Sequence, residues 1–125
     1  MTTATTTAST TALEYREVVK AFGAGSNEVR ALSGVSLAIE RGEFVAVMGP
    51  SGCGKSTLLH LAGGLEHPSA GRVLVHDRDL ADATVAELAQ LRRQEIGYVF
   101  QELNLVPALT AVENVMLPLE LDGVG

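Results

Sequence analysis

The chain has 125 residues, 46% of them apolar, enough for the core of one small domain or part of a larger one. Its formal net charge of −6, with Arg92-Arg93 the only adjacent pair of basic residues, argues against non-specific nucleic-acid binding, and the absence of Trp weakens any base-stacking platform. Cys53 is the only cysteine, so no intramolecular disulfide forms, and no apolar run reaches the ~20 residues of a membrane span.

Residues 1–12 are rich in Thr and Ala, carry no positive charge and contain no apolar segment; they are not a secretory signal and are expected to form a disordered tail. Residues 13–19, with Tyr15, Val18 and Val19, are expected as a strand, and residues 22–27 as a loop of turn formers. In 29–39, apolar Leu32, Val35, Leu37 and Ile39 alternate in part with polar Ser33 and Ser36. That pattern predicts a half-buried strand interrupted near Gly34. Glu40-Arg41-Gly42-Glu43 reads as a tight turn. Phe44-Val45-Ala46-Val47-Met48 lacks alternation, which predicts a strand buried on both faces of a parallel sheet.

A glycine-rich loop follows, then a helix expected over 55–65 with Leu58, Leu59, Ala62 and Leu65 on one face, ended by Gly63-Gly64 and Pro68. Residues 72–75 read as a short strand and 76–79 as a polar turn. Thr84-Val85-Ala86-Glu87 and Thr110-Ala111-Val112-Glu113 both have capping-box form. Val85, Leu88 and Leu91 can share a face of the first capped helix; Val112, Val115, Met116 and Leu119 follow at helical spacing in the second. Between these helices, 96–100 is expected as a strand. Pro118 removes a backbone bond to Asn114, which predicts a kink or an early end. No internal repeat and no clear second domain is visible.

The chemistry concentrates in Gly49-Pro50-Ser51-Gly52-Cys53-Gly54-Lys55-Ser56-Thr57, which fits G-x-x-x-x-G-K-[ST]. Gly52 and Gly54 let the backbone adopt conformations closed to residues with a Cβ, so that successive N–H groups can surround phosphate oxygens. The following helix adds its positive end. Lys55 neutralises β- and γ-phosphate charge, Ser56 is placed to ligate Mg²⁺, and Thr57 can contact the α-phosphate. The expected ligand is a nucleoside triphosphate with Mg²⁺, ATP foremost. Cys53 reads either as a small filler or as a thiol activated by the loop and Lys55.

The motif and its flanks resemble the ATP-binding subunits of ABC transporters. Gly49-Pro-Ser-Gly-Cys-Gly-Lys-Ser-Thr-Leu-Leu resembles their Walker A segment, Arg30-Ala-Leu-Ser-Gly-Val-Ser-Leu their lead-in strand, and Ile96-Gly-Tyr-Val-Phe-Gln101 their Q-loop strand. The segment Leu103-Asn-Leu-Val-Pro-Ala-Leu-Thr-Ala-Val-Glu-Asn-Val is similar to the stretch that follows, and the likeness is greatest to the subgroup serving lipoprotein release, macrolide export and cell division. The resemblance implies an α/β P-loop NTPase with a RecA-like core and an N-terminal antiparallel β-subdomain. Residues 13–125 would be a partial nucleotide-binding domain, truncated in the helical subdomain. It implies that Phe22 stacks on adenine, that Gln101 reaches Mg²⁺ or the attacking water, and that Lys55 and Gln101 are catalytic. It also implies a dimer with a second nucleotide-binding subunit, a transmembrane permease bound near residues 102–110, and a place on the cytoplasmic face of the membrane.

The family pattern also has a Leu-Ser-Gly-Gly-Gln signature, a Walker B strand ending in Asp-Glu and a switch His, and this sequence holds none of them. Leu32-Ser33-Gly34-Val35 lacks the second Gly and the Gln; His60, His67 and His76 precede the Q-loop position and read as surface residues. The chain alone is therefore expected to bind ATP without turnover and to be marginally stable. Alternative readings are a non-transport ABC ATPase, a small-molecule kinase with a similar P-loop, or a non-catalytic nucleotide-binding fragment. The β-rich segment ahead of the P-loop and Tyr98-Val99-Phe100-Gln101 favour the ABC type over the kinase.

Overall fold

A pair of long strands, β1 (Thr11–Phe22) and β2 (Val29–Glu40), forms the first hairpin of the computed structural model, which describes residues 10–50, 52, 54–102 and 104–123. The turn between them carries a short 3₁₀ segment, Gly25–Asn27. The expected disordered tail lies outside the described residues up to position 9, but its last two residues, Thr11 and Ala12, belong to β1. Thr10 Oγ1 donates to Glu40 Oε2 at 2.6 Å and the Arg41 amide bonds Thr10 O at 2.7 Å, so the strand end is tied down. Phe22, expected in a loop, is the last residue of β1.

The remaining elements are α1 (Lys55–Ala62), β3 (Ala70–Val75), β4 (Arg78–Asp79), a 3₁₀ segment at Leu80–Asp82, α2 (Val85–Gln94) and α3 (Ala111–Leu121). One antiparallel sheet runs in the order β2-β1-β3-β4. The chain divides into two units, one ending at Asp82 and the other beginning at Ala83.

The first unit is built on β1, which bulges against both neighbours around Glu17. Tyr15 faces Leu37 and Val18 faces Val35, leaving Arg16 and Glu17 opposite Ser36 alone. On the other side Glu17 and Val18 oppose Gly71. This bulge puts Glu17 at φ 47°, and the Ser36 hydroxyl holds it by accepting from the Glu17 amide at 3.0 Å and donating to its carboxylate at 2.9 Å. A Cβ on Gly71 would lie 2.2 Å from the Glu17 carbonyl oxygen, so only glycine fits across the bulge. The interruption expected near Gly34 is a second bulge rather than a break, with Gly34 the extra residue between the Val35 and Ser33 pairings.

Tyr15, Val18, Leu32, Val73 and Val75 are buried in the sheet, Leu74 is buried on the alternate face of β3, and α1 packs on β2 and β3 through Leu58 and Leu61. The expected helix face was Leu58, Leu59, Ala62 and Leu65. Leu59 is instead 51% exposed, and the helix stops at Ala62, which takes Leu65 out of helical register. Leu61, 1% exposed, carries the contact. The Gly63 amide closes the helix on Leu59 O at 3.0 Å. The tight turn at residues 40–43 forms as expected, with the Glu43 amide bonding Glu40 O at 3.1 Å.

Two expected strands do not form. Residues 44–48 run as irregular chain, with Phe44 97% exposed, and residues 96–100 do the same, with Val99 93% exposed. A parallel strand takes its hydrogen bonds from neighbours remote in sequence. Every strand pairing among the described residues is antiparallel and joins elements of the β1–β4 sheet, so neither run is paired as a strand among them.

In the second unit, both capping boxes are complete. Thr84 Oγ1 accepts from the Glu87 amide at 3.1 Å, and Thr110 Oγ1 from the Glu113 amide at 3.1 Å. Leu88 and Leu91 are buried, whereas Val85, expected on the same face, is exposed. Helix α3 continues past Pro118 to Leu121, further than an early end would allow. Asp122 joins the ends of α2 and α3, accepting from Arg93 Nε at 3.4 Å and Gln94 Nε2 at 2.9 Å.

Candidate phosphate-binding site

The P-loop connects the exposed run at 44–48 to α1. Gly54 is the N-cap of α1, in the left-handed region at φ 97°, and the helix has no side-chain cap. The first intrahelical bond is from the Leu58 amide to Gly54 O at 2.9 Å. The amides of Lys55, Ser56 and Thr57 therefore have no carbonyl partner within the helix. These three residues line a cavity of about 350 Å³ together with Ala31, Gly52 and Gly54. A Cβ on Gly54 would approach the Ala31 carbonyl oxygen to 2.6 Å and Leu32 Cδ2 to 3.0 Å, so glycine lets the helix start against β2.

Lys55 Nζ donates to the carbonyl oxygens of Gly49 and, at 3.3 Å, Pro50. The ammonium is thus folded back over the loop's own backbone, where an anion in the cavity can share its protons. Gly52, at φ 83°, has open space where a Cβ would stand. The donor set is a cation, two hydroxyls and the helix amides, which fits a polyphosphate; the Ser56 hydroxyl is a suitable oxygen ligand for Mg²⁺. Ser51 and Cys53 lie outside the described residues.

Sequence reasoning counted Tyr15 only as a strand former. Its hydroxyl donates to Leu58 O at 2.7 Å in the buried joint between β1 and α1, fixing the helix that carries Lys55, Ser56 and Thr57. A tyrosine in a strand with the β-branched Val18 and Val19 was the available signal, because a buried phenol needs a partner. Phe22 lies at the end of β1 and does not line the cavity; its ring is 41% exposed, with Lys20 Nζ 5.0 Å from the ring centroid. Gln101 belongs to the second unit and is exposed at the end of the irregular run 96–100.

Residues 32–123 match the family model described as "ABC transporter". The chain belongs to the ABC transporter family. It is 49% identical over 107 residues to a macrolide export ATP-binding/permease protein MacB of Bdellovibrio bacteriovorus, covering 86% of this chain and 16% of that one. It is 44% identical over 111 residues to the lipoprotein-releasing system ATP-binding protein LolD of Legionella pneumophila, covering 89% of this chain and 49% of the relative. The dimeric ADP- and Pi-bound structure of the ATP-binding cassette MJ0796 superposes with a TM-score of 0.84 at 44% identity, over 90% of this chain and 49% of that one. The chain thus spans about half of the relatives that are single ATP-binding proteins and a smaller share of the MacB proteins.

This family assignment agrees with the resemblance read from Leu13 to the end of the chain, and the fold is that of the P-loop NTPase cassette with its antiparallel β-subdomain. In the second unit of this ABC chain, Asn114 organises the stretch after Gln101. Its Oδ1 accepts from the Val106 amide at 2.8 Å, and its Nδ2 reaches Thr110 O at 2.8 Å and Val106 O and Leu109 O at 3.2 Å. One side chain on α3 thereby shapes the exposed loop 106–110; in the sequence Asn114 stood only as the carbonyl that Pro118 leaves without a donor. No helix among the described residues is long and apolar enough to cross a membrane.

Proposed function

We propose that this ABC-family chain binds ATP with Mg²⁺ through residues 49–57, as part of an ATPase that couples ATP binding and hydrolysis to transport across a membrane. The observation that carries the reading is the start of α1: a helix without a side-chain cap, whose first three residues, Lys55, Ser56 and Thr57, line a cavity beside Gly52 and Gly54. Three amides, one ammonium and a helix dipole together neutralise a polyphosphate more completely than any one of them could.

In this reading Lys55 leaves the Gly49 and Pro50 carbonyls in part to hold the β- and γ-phosphates, and Thr57 contacts the α-phosphate. Ser56 would hold Mg²⁺, which supplies further neutralisation of phosphate charge. Phe22 stacks on adenine. The relatives' names, an ATP-binding/permease protein and an ATP-binding protein of a lipoprotein-releasing system, support a permease partner and a place on the cytoplasmic face of a membrane. The dimeric MJ0796 structures support pairing with a second nucleotide-binding subunit. The sequence has no Leu-Ser-Gly-Gly-Gln and no Asp-Glu. The 125-residue chain alone therefore binds without sustained turnover, since holding phosphates and activating water need different groups.

Titration with ATP–Mg²⁺ by calorimetry tests this. Lys55→Ala removes a charged contact worth about 2–5 kcal/mol, so affinity falls roughly 30-fold to several thousand-fold. Unchanged affinity removes Lys55 from the site. Steady phosphate release by the wild-type chain above the Lys55→Ala control removes the claim of binding without turnover.

A further inference from the structure

Lys20 and Phe22 are two apart on β1 and so project to the same face of the strand. Lys20 is the less exposed of the two, its side chain only 14% exposed. Its Nζ donates to His67 O at 2.7 Å, pairs with Glu66 Oε2 at 3.3 Å and stands 5.0 Å from the Phe22 ring centroid. The ammonium has three protons and two hydrogen-bonding partners among these groups, and the ring is the third neighbour. The backbone beside it is doubly tied: the Ser69 amide bonds Val19 O at 2.7 Å, and Ser69 Oγ accepts from the Ala21 amide at 3.0 Å. The segment that follows α1 is thereby clamped to the end of β1 on both sides of Lys20.

We propose that Lys20 is a positioning residue for the nucleotide base. Its ammonium, fixed by Glu66 and His67, holds the Phe22 ring in one orientation and leaves the uncovered part of the ring to stack on adenine. The inference rests on the stacking role proposed for Phe22. A ring without the ammonium would sample several rotamers, and the base would have to order it on binding. The clamp also ties the base-stacking ring to the segment leaving the helix that carries Lys55, so the phosphate and base contacts share one rigid frame.

The test uses the 125-residue chain and two ligands, ATP–Mg²⁺ and tripolyphosphate–Mg²⁺, which differ in having a base. Phe22→Ala is expected to weaken ATP about 5- to 150-fold and leave tripolyphosphate unchanged. Lys20→Met is expected to weaken ATP about three- to tenfold, again sparing tripolyphosphate, while Lys20→Arg, which restores a cation over the ring, stays within about twofold of wild type. In the Phe22→Ala background Lys20→Met adds nothing. By NMR, Lys20→Met averages the Phe22 χ1 couplings while the amides of Tyr15, Val18 and Val73 keep their shifts.

An equal loss for both ligands in Lys20→Met shows a merely structural role and overturns the proposal, as does a fixed Phe22 χ1 in that variant. A loss in Phe22→Ala with none in Lys20→Met overturns it alone. No loss in Phe22→Ala brings down the stacking reading, and the inference with it.

Discussion

The strand Ala70–Val75 and the run at residues 44–48 are both short segments made mostly of small and β-forming apolar residues, and they reach opposite ends. The strand is paired on both sides and buries Val73, Leu74 and Val75. The run pairs with nothing described and leaves Phe44 and Met48 in solvent. The difference lies in where the hydrogen-bond partners come from. β3 meets β4 across a two-residue turn, His76 and Asp77, both at positive φ, and meets β1 in an antiparallel ladder. A doubly buried parallel strand needs a neighbour on each side from elsewhere in the chain, and no such neighbour is present among the described residues.

The largest effect expected from this contrast is at the joint the paired sheet supports. Leu61 is fully buried where α1 meets the sheet, so Leu61→Ala should cost about 2–5 kcal/mol in urea unfolding followed by circular dichroism. The same substitution should weaken ATP binding, because the helix that carries Lys55 loses its seat. A loss below about 1 kcal/mol would mean the sheet and α1 do not form one core, and the comparison would fail at its stronger side.

How much of this was legible follows the same line. The P-loop, the turn at residues 40–43, both capping boxes and the hairpin strands were readable, because each depends on residues within a few positions of one another. The two missing strands were not, because a continuous apolar run records a capacity for pairing and says nothing of whether a partner is at hand. The α1 face was misread for a smaller reason. Counting Leu65 into the helix rotated the expected face toward Leu59, whereas termination at Gly63 makes Leu58 and Leu61 the inner pair. The bulge opposite Gly71 and the Tyr15 hydroxyl bond each require knowing which distant segment lies alongside, which neither spacing nor composition contains.

An intermediate effect is expected where structure is purely local, at the N-terminus of α3. The Glu113 carboxyl is held below its ordinary value of 4.5, first by the hydrogen bond it accepts from the Thr110 amide at 2.9 Å and then by Thr110's side chain. A carboxyl with a lowered folded-state pKa contributes stability that is fully present above its unfolded value. That contribution is lost as pH falls through the lowered one. Helical signal from α3 should therefore weaken in acid, starting below about pH 4.5, and Glu113→Gln should flatten that dependence. Thr110→Ala should cost about 1 kcal/mol at neutral pH. An acid profile unchanged by Glu113→Gln would assign the transition to other carboxylates.

The smallest effect is expected at Phe44, and it bears most directly on the opening contrast. A phenylalanine in a doubly buried strand would cost about 3–5 kcal/mol when truncated. Phe44 is 97% exposed, so Phe44→Ser in this chain should change unfolding free energy by no more than about 0.5 kcal/mol. Hydrogen exchange should agree, with amides 44–48 exchanging as fast as an open loop while those of Tyr15, Val18 and Val73 are protected. A cost of several kcal/mol at Phe44 would show that the run finds a partner in solution, either within the chain or in a second copy. Dependence of that cost on protein concentration would separate the two, since only pairing between copies grows with mass action. An exposed run of this composition, next to the proposed phosphate site, is the place where a further strand would have the most to add: it would pair the run's open backbone and seat the segment that leads into Gly49 and Lys55.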